Sequence, residues 1–140
     1  MKKLEQLVDL HQADTRPVDA GSIQSLEQKL GFALSDEYKD YLSTFGVIVF
    51  DAYETYGLGV PEDYYLNVLA AFSDLSRDPN YPKNTVPLLE IGDGQFYLYD
   101  NQARKVLVWA TPNGGIVRAV EDGLEAFLIK HVFAGYLTTV

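Results

Sequence analysis

The sequence contains no cysteine. Disulfides, thiolate metal sites and cysteine nucleophiles are thereby excluded, and the absence suits a reducing cytosol. Histidine is almost absent as well. His11 and His131 are the only imidazoles, each on the apolar side of a helical pattern and neither beside a second histidine, so both read as core-edge residues and not as bases or ligands. No apolar run approaches the roughly 20 residues that span a bilayer. The opening "MKKLEQLVDLHQ" carries two lysines, as a secretory leader would. Glu5 and Asp9 interrupt its apolar segment, however, and no small-residue cleavage site follows. An amphipathic helix and a cytoplasmic protein without a membrane partner are expected.

Basic residues are scarce too, with 11 against 20 acids and a net charge of −9. The imbalance is concentrated between Asp51 and Asp100, where nine acids face two bases, Arg77 and Lys83. Phosphate contacts need Lys and Arg, so nucleic-acid binding is disfavoured. A basic protein partner is favoured through steering and complementarity, although many soluble proteins are simply acidic.

What the chain does contain suits one globular domain. At 140 residues and 47% hydrophobic it can bury a core without staples. Residues 2–12 place Leu4, Leu7, Val8 and His11 at helical spacing. After the polar connection "DTRPVDAG", Ser22 is read as the cap of a second helix bearing Ile23, Leu26 and Leu30 and ending at Gly31. In "LSDEYKDYLSTFG", Ser35 is an N-cap, and Asp36 and Glu37 fill the first turn, where the helix dipole favours acids. Tyr38, Tyr41, Leu42 and Phe45 form that helix's apolar face. "VIVF" and "AYETYGLG" (52–59) read as a hairpin. The spacing predicts a helix over 64–78, although Tyr64 to Leu66 also reads as the start of a strand. Strands follow at 86–91, 95–100, 105–110 and 115–120, with Asp93-Gly94 and Asn113-Gly114 as turns needing positive φ. A closing helix spans about Glu121 to Tyr136.

Helices, then an antiparallel meander, then a helix give an α+β fold. The expectation is a mainly antiparallel sheet of about five to six strands, with N-terminal helices and the closing helix packed on it.

The stretch "EIGDGQFYLYDNQ" (90–102) resembles an ion loop at first sight. A calcium loop needs oxygen ligands at alternate positions, but here those positions are Asp93, Gln95, Tyr97 and Tyr99. A phosphate cradle would open a helix, whereas these glycines open "QFYLY", which alternates as a strand. A hairpin is therefore predicted, with Phe96 and Leu98 on one face and Tyr97 and Tyr99 on the other, one face packed on helices and the other only partly covered. No metal and no cofactor are expected. No nucleophile elbow, dinucleotide fingerprint or P-loop occurs. The acid pairs Asp36–Glu37 and Glu62–Asp63 leave open a small carboxylate-based hydrolase, but capping and solvation explain such pairs, and no catalytic residue is assigned.

A Tyr-rich acidic segment is the main candidate surface. Tyr53, Glu54, Tyr56, Glu62, Asp63, Tyr64 and Tyr65 lie close together in the chain. Tyr is enriched at interface centres, and acids beside it suit a Lys/Arg-rich partner. Tyr53 and Tyr56 are equally fit for the core.

In order and spacing, "IQSLEQKLGFALSDEYKDYLSTFG" (23–46), Gly57 and Gly59, "VPLLEIGDGQFYLYD" (86–100), "KVLVW" and "VEDGLEAFL" (120–128) resemble the SUKH superfamily. That group includes bacterial toxin-immunity proteins and a fungal cell-wall synthesis regulator. Residues 1–21 read as an N-terminal helix and linker, and 22–140 as the family-like core. Two departures stand out: Ser35 where the family usually has Pro, and "TFGVI" in place of an Asn-Gly-Gly helix end. The resemblance implies a non-enzymatic α+β domain that occludes a basic toxin domain, often a nuclease. A regulatory scaffold is the alternative. The residues expected to meet the partner are Asp51, Glu54, Tyr56, Glu62, Asp63, Tyr64, Asp93 and Tyr97.

Overall fold

In the computed structural model, which describes residues 1–112, 115–120 and 123–134, five helices and seven strands form an α+β arrangement. Helix α1 (Lys2–His11) is followed by β1 (Asp14–Thr15), α2 (Ala20–Leu30), α3 (Asp36–Thr44), β2 (Ile48–Phe50) and β3 (Tyr53–Glu54). Then come α4 (Val68–Leu75), β4 (Thr85–Gly92), β5 (Gln95–Asp100), β6 (Lys105–Ala110), β7 (Gly115–Val120) and α5 (Leu124–Val132). The strands divide into two antiparallel sheets, ordered β1-β2-β3 and β4-β5-β6-β7. The two-residue β1 lies inside the stretch read as a polar connection, because Asp14 and Thr15 pair with Val49 and Ile48.

Helix α2 begins two residues before Ser22. Asp19 is the cap, its carboxylate accepting the Ser22 N–H at 2.8 Å. Helix α4 is shorter than the 64–78 expected: Asn67 caps it by accepting from Leu69 and Ala70 N–H, and Tyr64 to Leu66 form a turn, not a strand. The meander keeps its four predicted strands, β4 being one residue longer at each end. Asp93 and Gly94 turn the β4–β5 hairpin at φ 53° and 76°, as a two-residue primed turn requires. The Asn113-Gly114 turn and the outer ends of the predicted closing helix lie outside the described residues.

Alternation places Tyr97 and Tyr99 on one face of β5. Tyr97 meets Phe127 of α5 at 4.8 Å, and Tyr99 stacks on Tyr38 of α3 at 5.8 Å. The opposite face is not partly covered, as the sequence suggested. Leu98 and Trp109 there are fully buried, and Trp109 meets Tyr81 at 5.2 Å, which meets Phe72 of α4 at 5.6 Å. The loop after α4 folds back over the sheet, which a linear pattern does not reveal. His11 lies against Phe50 and Phe133, and His131 against Phe127 and Tyr97, so both imidazoles sit in aromatic contacts at the core edge.

Two buried polar clusters tie helices to sheets. Tyr41 Oη bonds Thr55 Oγ1 at 2.6 Å and donates to the Tyr56 carbonyl, while the Ile48 N–H donates to Thr55 Oγ1. In the second cluster Ser35 Oγ accepts the Tyr38 N–H and bonds Tyr99 Oη at 2.7 Å; its own N–H donates to Asn101 Oδ1 at 3.0 Å. Proline, expected here from the resemblance, has neither the N–H nor the hydroxyl that this cluster uses. Ser35→Ala removes a cap worth about 1 kcal/mol and one buried partner of Tyr99. Urea unfolding is expected to show a loss of about 2 kcal/mol by these same magnitudes; an unchanged midpoint would mean that the cluster adds nothing.

Burial holds the hydroxyls of Tyr38, Tyr41, Tyr81 and Tyr99 well above the ordinary tyrosine range. Unfolded tyrosine loses its proton near pH ~10. Above that pH the unfolded state binds fewer protons than the folded one, so stability is complete below it and falls as pH rises through the folded values. These four phenolates are therefore expected to appear together with loss of far-UV circular dichroism, in one cooperative alkaline transition. Their gradual ionisation in a still folded protein would contradict this packing.

Candidate protein-binding groove

Strands β3 and β4 are edge strands of different sheets. The chain just after β3 touches β4 where the Tyr56 N–H donates to the Leu88 carbonyl at 2.9 Å. Beside this junction a groove of about 650 Å³ opens, walled by residues 52–54 and 56, by 89–92 and by Lys130, His131 and Ala134 at the end of α5. Its size is that of small-ligand and side-chain sites.

Three glycines permit a close backbone crossing next to this junction. A Cβ on Gly57 would lie 1.6 Å from the Gly46 carbonyl oxygen, and one on Gly59 would lie 2.1 Å from that of Arg16. Gly46 itself has φ 72° and crowds Arg16 in turn. The departure at "TFGVI" thus still supplies the glycine that close backbone packing needs. Gly57 then bonds Leu66 and Val68 through its N–H and carbonyl, holding Tyr65 and Leu66 against the groove.

Aromatic rings line the opening. Tyr53, Tyr64, Tyr65 and Ile91 are 42%, 40%, 58% and 43% exposed, a concentration of apolar surface that marks interaction sites. Tyr64 and Tyr65 pack at 4.6 Å, and Tyr65 Oη donates to Glu54 Oε2. That carboxylate partner raises the Tyr65 hydroxyl above its ordinary range. Tyr56 is buried at the groove floor, its hydroxyl pushed up to about 12 by burial and then by the nearby Glu90 and Glu54 carboxylates.

Of the residues expected to meet a partner, Glu54, Tyr56 and Tyr97 come together in this groove. Tyr64 adjoins through its stacking on Tyr65, and Asp51 and Asp93 directly neighbour lining residues Ala52 and Gly92 in the chain. Asp63 is exposed in the loop before Tyr64, and Glu62 lines a separate groove between α2 and α4. Glu90, Ile91, Tyr53 and Tyr65 also line the site but were not among the expected contacts. Glu90 and Ile91 are both exposed where β4 shifts register against β5, and no periodicity in "VPLLEI" marks them.

Neither acid pair lines this groove. Asp36 and Glu37 occupy the first turn of α3, where Glu37 accepts from Tyr99 Oη, and Glu62 and Asp63 are exposed. Among the described residues no group of three His, Asp or Glu side chains is arranged to hold a metal ion, and no described helix is long and apolar enough to cross a membrane. A further groove of about 780 Å³ lies between α1 and α5, where Leu10 is 74% exposed. It mixes Lys3 and Lys130 with Glu125 and carries no aromatic ring.

The sequence matches the SUKH_5 family model, described as SMI1-KNR4 cell-wall, over residues 1–133. No curated protein matches it. A solved structure titled as a protein from Pseudomonas syringae pv. tomato superposes with a TM-score of 0.76 at 13% identity, covering 96% of this chain and 99% of that one. At that identity the likeness concerns the fold alone.

Proposed function

The chain belongs to the SMI1-KNR4 cell-wall family, and on that premise we propose that it is a non-enzymatic binding protein, an immunity protein that neutralises a basic toxin domain by covering it with the Tyr-rich acidic groove. The observation that carries this reading is the cluster of exposed rings around Glu54 and Glu90 where the two sheets meet. Rings of this type supply interface area at low entropic cost, and the acids match a cationic cleft. Asp51, Asp63, Tyr64 and Asp93 extend the same surface. The cell-wall description of the family favours a second reading, a regulatory scaffold for a housekeeping partner.

Co-expression with the C-terminal domain of an adjacent secreted-toxin gene separates the two. Immunity predicts rescued growth and a stoichiometric complex; growth arrest without complex would refute it. Within such a complex, reversing Glu62 and Asp63 to Lys is expected to lower the association rate severalfold and to flatten its salt dependence, as rim charges do. Unchanged kinetics would remove these two residues from the surface.

A further inference from the structure

The groove combines two features that ordinary side-chain docking does not require. One is an unpaired strand edge. Beyond the Tyr56–Leu88 hydrogen bond, β4 runs on through Leu89 to Gly92 at the rim of its sheet, paired with β5 on its inner side and with no strand on its outer edge among the described residues. The other is a pair of carboxylates among rings. Glu54 and Glu90 stand on opposite walls, both close enough to raise the Tyr56 hydroxyl, with Tyr53, Tyr65 and Tyr97 around them. Glu54 is already held in place by Tyr65. The α5 wall contributes Lys130 and His131, which leaves the carboxylates to the two strand walls.

A strand edge recognises extended backbone and takes alternate side chains into adjoining hollows. A carboxylate pair lined with aromatic faces suits a planar cation that can stack on a ring and fork its N–H groups to two acids. Lysine offers a point charge without that fork. We infer that the groove takes an extended segment of its partner along the β4 edge, with one arginine side chain seated between the tyrosine rings and paired to Glu54 and Glu90. The inference rests on the groove being the partner surface, and it names the element of the partner that enters.

The test uses the full chain, labelled with nitrogen-15, and the acetylated, amidated pentapeptide Thr-Val-Arg-Val-Thr. Versions with lysine or with citrulline, which keeps the shape and loses the charge, replace the arginine. Amide shifts are expected at Glu54, Tyr56 and Leu89 to Gly92. The lysine peptide is expected to bind severalfold more weakly, the citrulline peptide at least tenfold more weakly, and Glu54→Gln and Glu90→Gln are expected to narrow that arginine–citrulline gap. Equal binding of the arginine and citrulline peptides within the groove would overturn arginine recognition while leaving the groove a binding surface. Shifts confined to another surface, or none at millimolar peptide, would overturn the inference. The groove reading itself fails only if charge changes inside it leave a whole partner's affinity untouched.

Discussion

Gly57→Ala is expected to unfold the protein or to lower its stability by at least about 3 kcal/mol, the upper range for overpacking a rigid site. The added methyl would sit 1.6 Å from the Gly46 carbonyl oxygen. That carbonyl is not free to retreat, because it accepts the Leu58 N–H at 3.1 Å, and Gly57 is fixed on both sides by Leu66 and Val68. Domains have only about 5–15 kcal/mol in hand. Gly31→Ala is the control. Gly31 has φ 82° but nothing within 4 Å of a new Cβ, so only the left-handed conformation is penalised, by about 1 kcal/mol. Urea titrations of the two variants separate collision from conformational strain. Equal midpoints would show that the backbone crossing at Gly57 yields easily.

Replacing both Glu54 and Glu90 by Lys is expected to weaken binding of a basic partner by 100-fold or more, within the range of about 2–5 kcal/mol for losing buried charge pairing at an interface. The fold itself should persist. Glu90 is exposed, and the Glu54 carboxylate accepts its hydrogen bond from the exposed Tyr65. Calorimetry of the complex, with circular dichroism of the free variant, reads the two effects apart. Retained affinity in a folded double variant would move the interface elsewhere.

The contrast between these residues shows what a sequence can carry. The Ser35 cap, the Asp93-Gly94 turn and the strands at 95–100 and 105–110 follow from local chemistry, and the structure keeps them. Strand β1 was not legible, since two residues hold no periodicity and pair only because β2 passes beside them. The division into two sheets was likewise hidden in the long-range bond from Tyr56 to Leu88. For the candidate site, the Tyr and acidic composition of residues 53–65 pointed to a stretch of which Tyr53, Glu54, Tyr56 and Tyr65 line the groove. It could not identify Glu90 and Ile91 as the facing wall, nor turn Glu62 toward the α2–α4 groove. Gly57 and Gly59 were visible only as loop glycines; the backbone crossing that excludes a side chain at each is a tertiary fact.

Amide hydrogen exchange on the complex with the co-expressed toxin domain tests the groove most directly. The account predicts slowed exchange in residues 53–56 and 89–92 relative to the free protein. Unchanged exchange there, with protection appearing instead along α1 and α5 around Leu7, Leu10 and Ile129, would contradict it.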